Sequence, residues 1–171
     1  RPEPVSVLLL ALILISVSGF RYQVGTDFMA YYHWRVDDWS EIFKSIVSFQ
    51  NGGFELLAKL CRLVFDHNQT LIFVSACITI GLYILTIYRI SPSFLLSMLF
   101  YLFLGQWQGG FNAIRQYIAA AILFAGHRLI LEKKLWQYIL VVVAATMFHF
   151  SAAVMINPYF LLNREAGGAQ L

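Results

Sequence analysis

Two stretches decide how this chain is read: Asn112–Leu131, NAIRQYIAAAILFAGHRLIL, and Trp136–Ile156, WQYILVVVAATMFHFSAAVMI. Each is about as long as a helix needs to be to cross the roughly 30 Å hydrocarbon core of a bilayer. Each also carries an ionisable residue inside its apolar run, Arg115 in the first and His149 in the second. Such a residue costs about 2.5–3.5 kcal/mol on insertion scales, so it is expected to face a protein interior and to mark a functional site. Chemistry is therefore sought at Arg115 and His149, and with them at Arg21, Asp27 and Glu55.

The remainder of the chain agrees with a membrane reading. It is 60% apolar and 12% charged, against about 25% charged for an average soluble domain. Further apolar runs at about 5–20, 70–88 and 92–107 bring the expected transmembrane segments to about five. The expected fold is all-α, a polytopic membrane helix bundle forming one integral membrane domain over residues 1–171. The first run could instead be a signal-peptide core, with the small residues Val17-Ser18-Gly19 near its end, but it has almost no basic n-region. The third is short, about 24 Å as a helix. Ser91-Pro92 suits its N-cap and first position, and Trp107 suits an interface anchor.

The net charge of +3 falls largely at the borders of these runs, where topology accounts for it, and no nucleic-acid partner is inferred. Cys61 and Cys77 lack metal-ligand spacing, and Cys77 lies within an expected span, so neither a disulfide framework nor a metal site is expected. The chain opens Arg-Pro-Glu-Pro and stops soon after the fifth run. It is expected to be part of a longer protein, with Gly-Gly-Ala-Gln (167–170) as a flexible tail.

Basic residues in short loops set the expected orientation. Arg89 lies between the second and third runs, and Arg128, Lys133 and Lys134 lie between the fourth and fifth, which makes those loops cytoplasmic. The Gly105–Phe111 turn has no Lys or Arg, and with the 21–69 segment it falls outside. That segment is no simple linker. Glu41–Phe49 (EIFKSIVSF) and Phe54–Phe65 (FELLAKLCRLVF) space their apolar residues as amphipathic helices do, and Asn51-Gly52-Gly53 breaks the pattern. Two short helices lying on the membrane or over the bundle are expected there.

On the fourth run Asn112, Arg115, Gln116, Ala119, Leu123, Gly126 and His127 share a stripe that is polar outside and small further in. On the fifth, Ala145, Thr146, His149, Ala152 and Ala153 share another, and the short Glu132–Leu135 turn lets the two stripes meet. At about 1.5 Å per residue, Arg115 and His149 lie roughly 5 and 11 Å below the outer edge. Arg21, Asp27 and Glu55 reach the same side. Each residue has a plainer reading. Arg115 could snorkel to headgroups, Arg21 could anchor at the interface, Asp27 could cap a helix, Glu55 could complement a helix dipole, and His149 could be a structural donor. His33, His67 and His127 are expected to be structural.

The order of the polar pieces is more distinctive than any one of them. Arg21-Tyr22-Gln23-Val24-Gly25-Thr26-Asp27 with Tyr31, then Gly53-Phe54-Glu55-Leu56-Leu57, then Asn112-Ala113-Ile114-Arg115-Gln116 with Ala119, then Phe148-His149-Phe150-Ser151-Ala152 resembles the EpsG family of Wzy-like polysaccharide polymerases. The resemblance covers essentially the whole chain. Family members are roughly twice as long, so it implies an N-terminal half.

The resemblance implies a glycosyltransferase-type polymerase of the bacterial cytoplasmic membrane, multi-pass, with its active site facing outward. Its substrate would be an oligosaccharide repeat unit on a polyprenyl diphosphate, and its product an exopolysaccharide or surface polysaccharide. Membrane lipid and other polysaccharide assembly proteins would be its partners, and no cofactor is implied. In that chemistry Arg115, Arg21 and Gln116 would hold the diphosphate, because guanidinium presents forked donors to phosphate. His149, Asp27 or Glu55 would take the acceptor hydroxyl's proton, with the imidazole favoured because it is a base near neutral pH. The alternatives are a transferase adding single sugars, a membrane acyltransferase, and a non-catalytic transporter or scaffold, which would need no base.

Overall fold

The computed structural model describes residues 2–163. The 167–170 tail lies outside them. Among the described residues all regular structure is helical. The helices are α1 (Pro4–Gly19), α2 (Phe28–Tyr32), α3 (Trp39–Val47), α4 (Gly52–Val64), α5 (Asn68–Ile90), α6 (Phe94–Phe103), α7 (Gln106–Gly109), α8 (Ile114–Gly126), α9 (Arg128–Leu131), α10 (Leu135–Thr146) and α11 (Ile156–Asn163), with a 3-10 helix at Phe150–Met155 between the last two. Two helical stretches are long and apolar enough to cross a membrane, Asn68–Ile90 and the continuous Ile114–Leu131. Pro4–Gly19, Phe94–Phe103 and Leu135–Thr146 are apolar but shorter.

Helix α5 is the axis of the bundle, with α1 on one side and α8 on the other, and α10 packs on the far side of α8. One core fills the space between α1, α5, α6 and α8, with Leu14, Ile80, Tyr83, Ile84, Met98, Tyr101 and Ala121 buried in it. A second lies at the end where residues 20–70 gather, built from Phe28, Tyr31, Phe54, Ala58, Leu71, Ile72, Ile114 and Ile118. Where α8, the end of α10 and the 3-10 helix meet, the buried residues are small, Ala119, Ala145 and Ala152, which lets the backbones approach closely. The outer flank of α1 leaves Leu8, Leu9, Leu12, Ile13 and Val17 exposed. An apolar flank of this extent suits lipid better than water.

The two amphipathic helices expected between residues 41 and 65 are present as α3 and α4. Asp38 starts α3 by accepting from the Ser40 backbone N–H at 2.9 Å, the usual work of an N-cap carboxylate. In the sequence the short α2 is signalled only by Asp27, which stands at its N-cap.

Two local expectations are corrected, for the third apolar run and for the fifth. The third apolar run forms a helix only from Phe94 to Phe103, about 15 Å long, and its N-cap is Ser93 instead of Ser91. Ser91 closes α5 and accepts from the Ser93 N–H at 3.1 Å. Trp107 is tied into the bundle, donating from Nε1 to Ser18 Oγ at 2.8 Å.

The second correction has the largest consequence. The fifth run is not one helix. Helix α10 ends at Thr146, and His149 is extended at φ −153°, ψ 117°. Two contacts account for the break. Thr146 Oγ1 donates back to the Val142 carbonyl at 2.8 Å, a bond that bends helices. The Met147 carbonyl accepts from the Gly53 N–H at 2.9 Å instead of from a residue one turn on. Further along, Pro158 falls in the first turn of α11, where its missing N–H is not needed.

Candidate functional site

The polar segments dock in pairs at one end of the bundle. The first pair is the 21–27 segment against the turn that precedes α8. Arg21 is only 8% exposed. Its terminal nitrogens donate to the Ser18 carbonyl and, at 3.2 Å, to the Phe111 carbonyl. Its guanidinium lies 4.8 Å from the Phe111 ring centre and 5.9 Å from that of Phe28. Burial pulls its pKa down to about 10, so it is still a cation at neutral pH.

The Thr26 N–H donates to Asn112 Oδ1 at 2.8 Å. Gly25 between them has φ +103°, and a Cβ there would stand 2.8 Å from Asn112 Oδ1 and 2.9 Å from the Phe111 carbonyl oxygen. Only glycine fits that conformation at that distance. The Arg-x-x-x-Gly-Thr pattern is thus a seam sewing the exit of α1 to the entrance of α8.

The second pair is the start of α4 against the break after α10. Besides the Gly53–Met147 hydrogen bond, a Cβ on Gly53 would lie 2.9 Å from Met147 Cβ, so α4 rests directly on the backbone that presents His149. The next residue, Phe54, is fully buried, edge-on to Tyr31 at 5.7 Å and to Trp34 at 5.4 Å. Trp34 in turn carries Arg115, whose guanidinium carbon is 5.1 Å from the ring centre. Stacking on an aromatic face fixes a guanidinium's orientation while leaving its in-plane donors for another partner.

These contacts leave an open cavity of about 450 Å³ lined by Ser48, Phe49, Gln50, Asn51, Arg115, His149 and Phe150. Its size is that of a small-molecule site. Arg115 enters it from the first turn of α8, the positive end of the helix dipole. His149 enters from the break, its backbone held by an N–H donated to the Ala145 carbonyl at 3.1 Å and a carbonyl accepting from Ala152 at 3.0 Å.

The structure therefore brings together two of the residues singled out in the sequence, Arg115 and His149, at one cavity. The others stand elsewhere. Arg21 is in the buried seam. Asp27 is exposed at the N-cap of α2, without capping it, and Thr26 Oγ1 lies 3.5 Å from its Oδ1. Gln116 is exposed on α8. Glu55 lies in the first turn of α4, one carboxylate oxygen buried without a hydrogen-bond partner, as is Arg115 Nε.

Among the described residues no group of three or more His, Cys, Asp or Glu could hold a metal ion. His67 accepts from the Gln69 N–H at the start of α5, and His127 binds the Phe124 carbonyl at 2.7 Å, both structural roles.

Two features of the site were not legible beforehand. Trp34 reads in the sequence as one more interface aromatic, and only the fold puts it under Arg115. The Ser48–Asn51 loop reads as a plain helix break, although its position just ahead of Gly53-Phe54-Glu55 was a signal that could have been used.

The model of one family, the EpsG family, matches residues 5–168. The chain belongs to the EpsG family. Neither the curated proteins nor the solved structures give a match. EpsG membership places the chain among membrane proteins of polysaccharide biosynthesis, a polymerase-like family. It also gives the paired segments a context, since the family's span includes both members of each pair.

Proposed function

We propose that this chain is the part of a polysaccharide polymerase that binds polyprenyl-diphosphate-linked oligosaccharides and joins them at the outer face of the bacterial cytoplasmic membrane. The observation that carries the reading is the shared cavity of Arg115 and His149, built from elements far apart in sequence. In the proposed reaction a sugar hydroxyl of the acceptor unit attacks the anomeric carbon of the donor chain. The bond from that carbon to the diphosphate oxygen breaks, and the electron pair leaves with the polyprenyl diphosphate. Arg115 and the positive end of α8 offset the negative charge that develops there. His149 takes the hydroxyl proton.

Arg21, whose terminal nitrogens are held by backbone carbonyls, is assigned to holding the seam, and Asp27, Glu55 and Gln116 are kept as groups at the same end of the bundle. The proposal includes the crossings of α1, α5, α6 with α7, and α8 with α9; the chain after α10 turns back toward α9, Tyr138 donating to the Met155 carbonyl at 2.6 Å and Asn163 to the Ile130 carbonyl at 3.0 Å. Loops at Arg89 and Glu132–Lys134 are cytoplasmic. In intact cells a single cysteine replacing the exposed Gln108 should then react with an impermeant reagent while one replacing Lys133 stays protected, and the reverse pattern would overturn the outward-facing site.

The full-length protein, given defined polyprenyl-diphosphate oligosaccharides, is expected to make a ladder of polymers. His149→Ala should still bind the lipid-linked substrate and make at least ~100-fold less polymer, the usual scale of a lost general base. An undiminished ladder from that variant would remove His149 from the chemistry and favour a scaffold or transport role for the cavity.

A further inference from the structure

The cavity that Arg115 and His149 share is also lined by the α3–α4 connection, Ser48-Phe49-Gln50-Asn51. Its backbone is fixed on both sides. At its start the Gln50 N–H donates to the Ser45 carbonyl at 2.9 Å and the Phe49 N–H to the Ile46 carbonyl at 3.2 Å. These are the paired bonds of a Schellman ending, with the residue past the helix in the left-handed conformation. That residue is normally glycine; here it is Phe49, at φ +55°. At its end Asn51 is also left-handed, at φ +63°, and stands at the N-cap of α4 without making a side-chain cap bond.

Phe49 bears a conformational cost that a glycine would avoid, and Asn51 leaves undone the local job its side chain does best. Both choices make sense if the side chains are wanted in the cavity they line. The loop offers it two primary amides and a hydroxyl. An amide carries donors and an acceptor together, and so matches a sugar hydroxyl, which is both donor and acceptor, and it adds no charge beside a diphosphate.

We infer that Gln50 and Asn51 are the sugar-reading wall of the cavity, binding the hydroxyls of the saccharide nearest the diphosphate while Arg115 holds the phosphate. This rests on the lipid-linked-saccharide reading above and assigns specificity within it. Ser48 is the lesser partner, because its hydroxyl already lies 3.4 Å from the Ser45 carbonyl. The division of labour makes affinity for the bare carrier lipid a property of Arg115, and the gain in affinity from an attached saccharide a property of the loop.

The test uses the full-length protein in lipid nanodiscs and two probes, polyprenyl diphosphate alone and the lipid-linked repeat unit extracted from the producing cells. Asn51→Gly is the informative variant, because glycine adopts the left-handed conformation freely, so the backbone is kept while the amide is removed. Gln50→Ala is its companion. Wild type should bind the repeat unit at least ~10-fold more tightly than the bare lipid. Each variant should cut that preference several-fold and leave the affinity for the bare lipid unchanged, with KM for the repeat unit rising more than kcat falls. A preference that survives in both variants overturns the loop's role while leaving the polymerase reading intact. Failure of wild type to bind either probe overturns the reading itself and the loop's role with it.

Discussion

Arg21 and Arg115 sit at the same end of the bundle, each over an aromatic ring and each with a buried Nε that has no hydrogen-bond partner, and their surroundings differ in what the terminal nitrogens meet. Arg21 is buried, its terminal nitrogens donating to carbonyls of Ser18 and Phe111 and its faces covered by Phe28 and Phe111. Arg115 lies on Trp34 at the edge of a cavity of about 450 Å³ that it shares with His149. An arginine whose donors meet backbone carbonyls is a fastener. One that is oriented by stacking and faces open space is available to an anion. The same residue type, at the same level of the molecule, is thus divided between holding the site together and doing its work.

The sharpest way to break this contrast is at the seam. Gly25→Ala puts a Cβ 2.8 Å from Asn112 Oδ1 at a φ of +103°, so the turn must move and the Thr26–Asn112 bond is lost with it. The expected cost is about 2–4 kcal/mol of stability, read as a lowered unfolding midpoint and poorer membrane yield. A variant as stable as wild type would mean that the seam does not carry the fold of this end.

On the cavity side the expected effects are smaller and appear in binding. Trp34→Leu removes the ring beneath Arg115, a contact worth about 0.5–2 kcal/mol. Affinity for bare polyprenyl diphosphate should fall by roughly two- to thirty-fold per folded molecule, and the unfolding midpoint should fall as well, because the Trp34 ring packs on Tyr31 and Phe54. If the midpoint drops and binding per folded molecule does not, the Trp34 ring is core packing and the stacking has no part in recognition. The smallest effect has the opposite sign. Phe49→Gly relieves a left-handed phenylalanine and should leave stability unchanged or raise it by up to about 1 kcal/mol. A loss larger than that would show the Phe49 ring to be packed rather than displayed.

The fold was readable where the signal is local. The long apolar runs became α1, α5 and the Ile114–Leu131 stretch, and the amphipathic spacing of 41–49 and 54–65 became α3 and α4, because periodicity alone decides which face of a helix is covered. The break at Met147–His149 was not readable, since nothing in WQYILVVVAATMFHFSAAVMI distinguishes it from a continuous span. Its cause is the Gly53 N–H, which arrives from a distant part of the chain and takes the Met147 carbonyl. The same limit applies to the site. Ionisable residues in apolar sequence flagged Arg115 and His149, but hydropathy could not separate Arg115 from Arg21, because the difference lies in which carbonyls and rings the fold brings to each. Nor could it find the amides of Gln50 and Asn51, which look like ordinary turn residues until the loop is seen lining the cavity.

The most direct measurement compares Arg21→Lys with Arg115→Lys in the full-length protein, scoring polymer formed from lipid-linked repeat units per folded molecule together with the unfolding midpoint. Lysine keeps the charge and loses the fork. Arg115→Lys is expected to keep the wild-type midpoint and lose polymer by about 10-fold or more, the scale of charge-assisted hydrogen bonds worth about 1.5–3 kcal/mol. Arg21→Lys is expected to lower the midpoint and leave the yield per folded molecule near that of wild type. A full polymer ladder from Arg115→Lys, at normal stability, would contradict the assignment of the cavity as the diphosphate site.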